Sequence, residues 1–264
     1  VRQFDATPIK HKWLALAHCP EYLQMLNDRS PQVGNIRLDD DTTMMQHTLT
    51  AAKLSAGAAI NAIDKIMDGT ITNAFCATRP PGHHAEYRKA MGFCFYNNIA
   101  IAARYAQQEH QIERVAILDF DVHHGNGTED IITRHKNILF CSTYQYPFYP
   151  FHVEESLTPP VINIPLDATA KSEEFRQAVL RHWIGAVDRF KPELILVSAG
   201  FDAHVEDDMS HVGLTDDDYG WIGQEIKKLA DKHAKGRIVS VLEGGYALSA
   251  LGRSVVAYLK GMMN

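Results

Sequence analysis

The sequence has no long hydrophobic run and no closely spaced cysteine pair. No apolar stretch approaches the about 20 residues that a membrane-spanning helix needs, and the first residues lack the basic-then-apolar order of a secretory signal. The cysteines show no CxxC spacing, which argues against a disulfide framework. They are Cys19, Cys76, Cys94 and Cys141. We therefore expect reduced cysteines, no membrane partner and a cytoplasmic location.

An excess of positive charge is also missing. The chain carries 26 Lys and Arg against 32 Asp and Glu, a formal net charge of −6, which provides no field to hold a polyphosphate backbone. We therefore expect no direct nucleic-acid partner, whereas a cationic substrate is compatible with this charge. Repeats, low-complexity tracts and linkers are absent too. The sequence thus predicts a single domain over residues 1–264.

What the sequence does have is an alternation of short apolar runs with longer stretches of helical spacing. Runs rich in Val, Ile and Leu recur between segments with apolar residues at i, i+3 and i+4. This alternation predicts an α/β fold with a mostly parallel central sheet flanked by helices on both faces. The predicted strands are 73–78, 115–120, 138–143, 161–165, 194–199 and 238–242, and the predicted helices are 43–67, 93–109, 172–190, 215–232 and 248–262.

The stretch 144–160 departs from this alternation. It contains four prolines and several aromatic residues, a composition that does not suit a regular element in a compact fold. We predict a loop that lines the functional site.

Polar side chains follow several of the predicted strands. In a parallel sheet such side chains meet at one edge, and alternate residues of a strand face the same side. Asp119, Asp121 and His123 should therefore project together. An aspartate alone at a strand end more often forms a turn, but two carboxylates aimed at one spot repel each other unless a cation lies between them. The imidazole and carboxylates of Asp121, His123 and Asp202 suit a catalytic Zn²⁺ with an open position for water.

Two further groups are candidates for catalysis. The pair His83-His84 follows a rigid Pro-Pro-Gly turn, which would hold two imidazoles beside the aspartates as acid and base rather than leave them as a solvated surface pair. Tyr246 follows two glycines, which let the backbone approach the site and bring a phenol hydroxyl to a developing oxyanion. Nine other histidines are read as structural, surface or packing residues: His11, His18, His47, His110, His124, His135, His182, His204 and His233.

In this order, several motifs resemble the zinc-dependent histone deacetylase superfamily. They are RPPGHH at 79–84, GFCFYNN at 92–98, DFDVHHGNGT at 119–128, AGFDAH at 199–204 and EGGY at 243–246. Asn126 resembles the class II branch, which includes bacterial members and acetylpolyamine amidohydrolases. The resemblance implies an arginase-like α/β fold. Family members usually begin with one more strand, which precedes the segment corresponding to 7–27 here. No such strand is visible in this sequence, so either the chain is trimmed or this member lacks the strand.

The resemblance assigns roles by position. The zinc ligands become Asp121, His123 and Asp202, and the catalytic residues become His83, His84, Asp119, Asn126 and Tyr246. The implied mechanism is hydrolysis of an amide, with zinc polarising the acyl carbonyl and a bound water whose pKa falls towards roughly 7. His84, beside the neutral Asn126, is the expected general base, and His83, beside Asp119, is expected to stay protonated. Tyr246 would donate to the oxyanion, and which histidine protonates the amine stays open.

Two further sites are implied by the resemblance. A channel for the acylated side chain would have Phe93, beside Gly92, as one wall and Tyr149 as the other. The sequence departs from the family at Tyr144, where a histidine is common, and at 151–153, where Gly-Thr-Gly is common. A structural K⁺ site, formed partly by main-chain oxygens, would use Asp119, Asp121, His123, Ser142 and Thr143.

Alternative functions and substrates follow from the same motifs. An arginase-type dimanganese hydrolase would need aspartates at the positions of Gly125 and His204, and a silent reader of acyl groups would be expected to lack a ligand, a histidine or the tyrosine. Acylated lysine in a peptide or protein, histone included, is the predicted substrate and acetylpolyamine the alternative. The reason is Met209, which stands where polyamine-selective members can place a glutamate. One of the acidic residues 206–208 could take over that role.

Overall fold

Strands and helices alternate along most of the chain in the computed structural model, which describes residues 1–151, 153 and 156–263. Within these residues the strands are β1 (Asn35–Arg37), β2 (Thr43–Met45), β3 (Asn73–Cys76), β4 (Val115–Asp119), β5 (Ile138–Gln145), β6 (Ser156–Thr158), β7 (Val161–Leu166), β8 (Leu194–Ala199) and β9 (Ile238–Leu242). The helices are α1 (His11–Leu14), α2 (Pro20–Asp28), α3 (Thr48–Met67), α4 (Asn98–His110), α5 (Asn126–Ile132), α6 (Ser172–Ala178), α7 (Ile184–Phe190), α8 (Asp216–His233) and α9 (Leu248–Met263), with a π-helical turn, Val179–Trp183, between α6 and α7.

One sheet brings together the strands that precede the candidate site residues. Among the described residues it has seven strands in the order β3-β9-β8-β4-β5-β7-β6. Neighbours pair in parallel except β6, which is antiparallel to β7. The mostly parallel sheet is therefore confirmed. The carboxyl ends of β9, β8 and β4 lie side by side, which places the residues after them at one edge.

Alternation along β4 assigns each residue to one face of the sheet. Val115 and Ile117 belong to the core formed with α3 and α4, whereas Ala116 and Leu118 belong to the core formed with α8 and α9. Helices thus cover both faces, as predicted. Asp119 has the parity of Val115 and Ile117, so the site forms on the α3 and α4 side. In the part of the chain that the structure describes, no helix combines the length and apolarity needed to cross a bilayer.

Several helix boundaries differ from the prediction. The helix predicted at 93–109 begins at Asn98, because the Asn97 side chain accepts a hydrogen bond from the Ala100 amide at 2.9 Å and caps it. The helix predicted at 43–67 begins at Thr48, after strand β2. The predicted helix 172–190 is interrupted by the π-helical turn, and α1, α2 and α5 were not predicted.

The predicted loop 144–160 is wrong at its start and at 156–158. Strand β5 continues to Gln145, where the amide donates to the Val122 carbonyl at 2.9 Å, and the ring of Tyr144 packs against that of His124 at 4.8 Å. Near the other end, 156–158 form β6. His152, part of the departure noted at 151–153, lies outside the described residues. The irregular residues of the described part include 146–151, and these border the site.

Candidate functional site

Asp121, His123 and Asp202 meet at the carboxyl ends of two adjacent strands. Asp121 follows β4 and Asp202 follows β8, and these strands pair directly. The Nδ1 atom of His123 lies 3.1 Å from Asp121 Oδ1 and 3.1 Å from Asp202 Oδ2. All three side chains are buried, and one ligand atom from each lies within 4.8 Å of the others. The predicted triad is thus assembled as a group that could hold a metal ion.

Backbone amides orient the two carboxylates. Asp202 Oδ1 accepts from the Val122 amide at 3.1 Å, and Asp121 Oδ2 accepts from the Gly244 amide at 2.8 Å. Asp202 therefore has one oxygen held by the backbone while the other points at the His123 ring. Asp121 has both oxygens held, because its Oδ1 also accepts from the His123 amide at 2.9 Å. Outer partners of this kind fix the direction of a metal ligand.

The charges of this group call for a cation. Burial and the Asp121 charge raise the pKa of Asp202 to about 6. Burial would lower the pKa of His123, but the two carboxylates outweigh it and raise that pKa to about 10. A β-carbon on Gly244 would lie 2.0 Å from Asp202 Oδ2, so the backbone closes on the group at a distance that only glycine permits. One nitrogen and two oxygen donors in a buried cradle fit zinc.

The tandem histidines stand beside the triad, each with a different partner. His83 Nδ1 donates to Asp119 Oδ2 at 3.0 Å, and its Nε2 lies 3.8 Å from Asp121 Oδ1. His84 Nδ1 lies 2.7 Å from Asn126 Oδ1. The two ring centroids are 4.0 Å apart. The pairings implied by the resemblance are therefore present as contacts.

The orientation of the Asn126 amide determines the tautomer of His84. The Asn126 Nδ2 atom donates to Glu86 Oε1 at 2.8 Å and contacts Met91 Sδ at 3.4 Å. Its oxygen is then the acceptor for the N–H at His84 Nδ1. The other ring nitrogen, Nε2, keeps its lone pair and is able to accept a proton.

Opposite forces act on the pKa values of the two histidines. Burial would lower the pKa of His83, but Asp119, Asp121 and Glu243 outweigh it and raise the pKa to about 10. Burial, followed by the positive charge of His83, lowers the pKa of His84 well below its usual value. A protonated and a neutral imidazole thus lie side by side, the separation that distinguishes an acid from a base.

Glu243 is a site residue whose role the sequence did not reveal. Its Oε2 accepts from the amides of Gly82 at 2.7 Å and His83 at 3.1 Å, and its Oε1 accepts from Ser198 Oγ at 3.1 Å. Burial raises its pKa to about 7. This carboxyl group holds the turn that carries the tandem histidines. The available signal was a charged residue directly after the apolar run 238–242.

A cavity of about 370 Å³ opens onto the triad. Its lining includes the four predicted substrate-binding residues, Gly92, Phe93, Tyr149 and Met209, together with Tyr246 and both tandem histidines. The rings of Phe93 and Tyr246 are 6.3 Å apart, and the ring of Tyr149 lies 5.1 Å from that of His84. The volume lies within the range of small-ligand sites.

Several lining residues were not predicted individually, and four of them are aromatic or acidic. They are Asp41, Phe148, Phe151 and Asp208. The ring of Phe148 stacks on His123 at 5.5 Å, and that of Phe151 lies 6.1 Å from Tyr149. Both aromatic residues belong to the predicted lining loop, which was the available signal. The two aspartates add negative charge to the cavity. Both lie in short acidic runs of the sequence, but the sequence does not show which side chain of each run faces the cavity.

The Gly92-Phe93 wall has an unusual backbone. Gly92 has φ +57, and a β-carbon there would lie 2.3 Å from His84 Cδ2. The Gly92 amide donates to Asp41 Oδ1 at 3.0 Å, and the Phe93 amide donates to Thr42 Oγ1 at 3.1 Å. The segment between β1 and β2 therefore fixes this wall beside His84.

The structure places His124 and His204 outside the triad, as expected. His124 Nε2 lies 3.0 Å from Glu129 Oε2, and His204 Nδ1 accepts from the Glu206 amide at 3.1 Å. A dimanganese site would also need an aspartate at position 125. The residue there is Gly125, which has no side chain to supply a ligand. These contacts support a site for one metal ion.

The residues of the predicted K⁺ site lie next to β4. Ser142 pairs with Asp119 in the register of β4 and β5. Ser142 Oγ and Thr143 Oγ1 are buried without a hydrogen-bond partner in the described part of the chain. Buried polar atoms of this kind call for an explanation, and a bound cation is one.

His18 supports the segment that carries the tandem histidines. It is fully buried; its Nδ1–H donates to the Glu86 carbonyl at 3.0 Å, and its Nε2 accepts from the Asn97 amide at 2.9 Å. Only a neutral imidazole makes both bonds. Burial lowers the pKa of His18 to about 4.

This buried imidazole predicts acid sensitivity. The unfolded side chain has a pKa of 6.5, so the unfolded chain takes up the proton first as the pH falls. The contribution to stability is complete above about pH 6.5 and is lost progressively towards about pH 4, by about 3 kcal/mol in total. Urea unfolding at pH 7 and pH 5 should show a smaller loss in His18→Gln than in the wild type, by about 2 kcal/mol. Equal losses would contradict this assignment.

Comparisons with known proteins agree with this geometry. A family model described as Histone deacetylase domain matches residues 1–262. The Histone deacetylase-like amidohydrolase of Pseudomonas aeruginosa is 36% identical over 268 residues, which cover 98% of this chain and 70% of that protein. A Probable deacetylase of Archaeoglobus fulgidus is 38% identical over 237 residues, which cover 88% of this chain and 65% of that protein.

A solved structure shows the same fold. The crystal structure of the HDA15 HD domain matches with a TM-score of 0.91 at 31% identity, covering 98% of this chain and 75% of that chain. This likeness confirms the deacetylase-like α/β fold. The chain spans only 26% of the Type-2 histone deacetylase 1 of Dictyostelium discoideum, to which it is 29% identical over 380 residues.

Proposed function

This chain belongs to the histone deacetylase family, and from that premise we propose that it hydrolyses the acyl amide of acetylated lysine side chains in peptides or proteins. One observation carries the proposal. One aromatic-walled cavity is bordered by the buried triad, by the phenol of Tyr246 and by both tandem histidines, whose pKa values are shifted in opposite directions. Each group needed to split an amide is therefore within reach of a substrate in that cavity.

The proposed zinc site consists of Asp121, His123 and Asp202. Zinc bound there supplies Lewis-acid polarisation of the acyl carbonyl and lowers the pKa of a bound water to about 7. Backbone amides already hold an oxygen of each aspartate, so the two carboxylates need little rearrangement.

His84 is the proposed general base. Its Nε2 is unprotonated because Nδ1 carries the proton that Asn126 accepts. Placing the attacking water beside this nitrogen lets the proton move to His84 as the water adds to the carbonyl carbon. His83 keeps its proton through Asp119 and adds positive charge next to the developing oxyanion.

Tyr246, which also lines the cavity, is the proposed donor to the oxyanion. Burial, then the charges of Asp202 and Asp121, raise the pKa of its hydroxyl, so that the phenol keeps its proton and can donate it in a hydrogen bond. Such a bond is strongest when negative charge develops on the acyl oxygen. The rings of Phe93 and Tyr246 lie edge to face, with their centroids 6.3 Å apart.

The aromatic walls suit the alkyl part of an acylated lysine. Phe93 and Tyr149 line the cavity, and Phe148 adds a ring against His123. The lining contains no Lys or Arg among the described residues. An apolar methylene chain in the cavity would therefore be buried against rings.

Acetylpolyamine remains the second candidate because of two carboxylates. Met209 lines the cavity with a thioether, but Asp41 and Asp208 also line it. A carboxylate near the mouth is a partner for a distant ammonium group. Of the three acidic residues considered from the sequence, Glu206 is paired with Arg253 and Asp207 with backbone amides, which leaves Asp208 as the one directed at the cavity.

Substitutions at Met209 and Asp208 should show which of the two substrates the protein prefers. We expect wild-type protein to have a higher kcat/KM for an acetyl-lysine peptide than for N-acetylated putrescine or spermidine. Met209→Glu should shift that ratio towards the polyamine, by about 10-fold or more for one charge-assisted bond. Asp208→Asn should shift it the other way if Asp208 meets the ammonium. A wild-type preference for polyamine that Met209→Glu leaves unchanged would make acetylpolyamine the substrate.

Two finer assignments accompany the proposal. A structural K⁺ beside β4, held by Asp119, Ser142 and main-chain oxygens, would provide a partner for the buried Ser142 hydroxyl. A cytoplasmic location fits the four free cysteines.

A further inference from the structure

We propose that Asp207 is the positioning residue that sets the place of the Tyr246 phenol, an inference that rests on the function proposed above. Asp207 lies five positions after the ligand Asp202 and is buried. Its side chain does not line the cavity, so that it acts on the reaction only through other residues.

Three backbone amides donate to the Asp207 carboxylate. Oδ2 accepts from Tyr246 at 2.6 Å and from Ala247 at 2.9 Å, and Oδ1 accepts from Met209 at 3.0 Å. One carboxylate thus ties the segment that carries the phenol to the segment that follows the metal ligand. Charge-assisted bonds of this kind are shorter and stronger than bonds between neutral groups.

The segment that carries Tyr246 needs an anchor, by which we mean the hydrogen bonds from its amides to the Asp207 carboxylate. Residues 243–247 form no helix or strand, and Gly245 has φ +141, a conformation that only glycine adopts readily. The amides of Tyr246 and Ala247 precede α9 and have no acceptor within that helix. Without Asp207 both amides would be left without a carboxylate partner, and the backbone beneath the phenol would gain freedom.

The other end of the anchor is fixed to the metal site. Ser210 Oγ donates to the Asp202 carbonyl at 2.9 Å, and the His211 amide donates to Gln145 Oε1 at 2.8 Å. The segment after Asp202 is therefore held on both sides of Asp207. The position of the zinc ligand and that of the oxyanion donor are thereby linked through one side chain.

A double-mutant cycle distinguishes positioning from general support. Asp207→Asn keeps the shape but replaces one accepting oxygen with an amino group, which cannot accept from a backbone N–H. In the wild-type background kcat should fall by about 10- to 100-fold, the effect of a small misplacement, with a smaller change in KM. In the Tyr246→Phe background, where no hydroxyl remains to be placed, the further loss should stay within about a factor of 2.

Two results would overturn the proposal. One is an unchanged kcat in Asp207→Asn, and the other is an equal fold-loss in both backgrounds, which would mean that Asp207 supports the whole site. Asp217→Asn, the same substitution at an exposed position of α8, is the matched control and should keep wild-type kcat.

Amide hydrogen exchange supplies a readout that does not depend on catalysis. In the wild type, the amides of Tyr246 and Ala247 should be protected, and Asp207→Asn should expose them while α8 stays unchanged. Unprotected wild-type amides would overturn the proposal even if the variant failed to fold. Absence of hydrolysis by the wild type, with these amides protected and released as expected, would instead contradict the proposed function and leave the anchor in place.

Discussion

Replacing Asp202 with alanine should remove both the metal and the hydrolytic activity. The change takes away one of two carboxylates and leaves Asp121 and His123 as the remaining ligands. We expect kcat/KM to fall by more than the roughly 10–100-fold that the loss of an outer partner costs. Metal analysis after dialysis should find about one zinc or iron per chain in the wild type and little in the variant.

A companion variant separates metal loss from misfolding. Asp202→Asn keeps an oxygen for the Val122 amide, and it removes the repulsion between two buried carboxylates. Its metal-free form should therefore unfold at or above the wild-type temperature, while added zinc should raise the melting temperature of the wild type only. Asp217→Ala on the exposed side of α8 is the control. Full metal content together with full activity in Asp202→Ala would show that the site is wrongly assigned.

The second large effect is expected from Tyr246→Phe. The substitution keeps the ring that contacts Phe93 and removes only the hydroxyl. Because that hydroxyl is needed where negative charge develops, kcat should fall by about 10²–10³-fold with little change in substrate binding or zinc content.

A matched control removes a different hydroxyl. Tyr105 donates to Asp64 at 2.8 Å from α4, away from the cavity, so Tyr105→Phe should keep wild-type kcat. If Tyr246→Phe turned over acetyl-lysine at the wild-type rate, the oxyanion donor would have to be a histidine or a water instead.

The fold was predictable where local pattern and tertiary structure agree. The apolar runs that became β4, β8 and β9 are buried at nearly every position, and such runs read as strands of a parallel sheet. The predicted helix boundaries were wrong where a single side chain determines the first residue of the helix. Asn97 begins α4 by accepting from Ala100, and the helical spacing upstream of it gave no sign of that cap.

The candidate site was predictable to the extent that its residues stand in short motifs at strand ends. Asp121 and His123 are two residues apart, and strand alternation places them on one side. Glu243 was not predictable in its role, because it meets the Gly82 amide across 161 positions of sequence. The same holds for Asp207 and Tyr246, which are 39 positions apart and meet only once the sheet has formed.

Zinc titration of metal-free protein would show whether hydrolysis of an acyl-lysine amide depends on the metal. Protein stripped by a chelator would be titrated with zinc while acetate release from an acetyl-lysine peptide is followed. We expect no release without metal, a rise in rate up to about one equivalent of zinc, and a plateau beyond it, with one free lysine formed per acetate. Full hydrolysis by the metal-free protein, or peptide binding without acetate release at one bound zinc, would contradict the account.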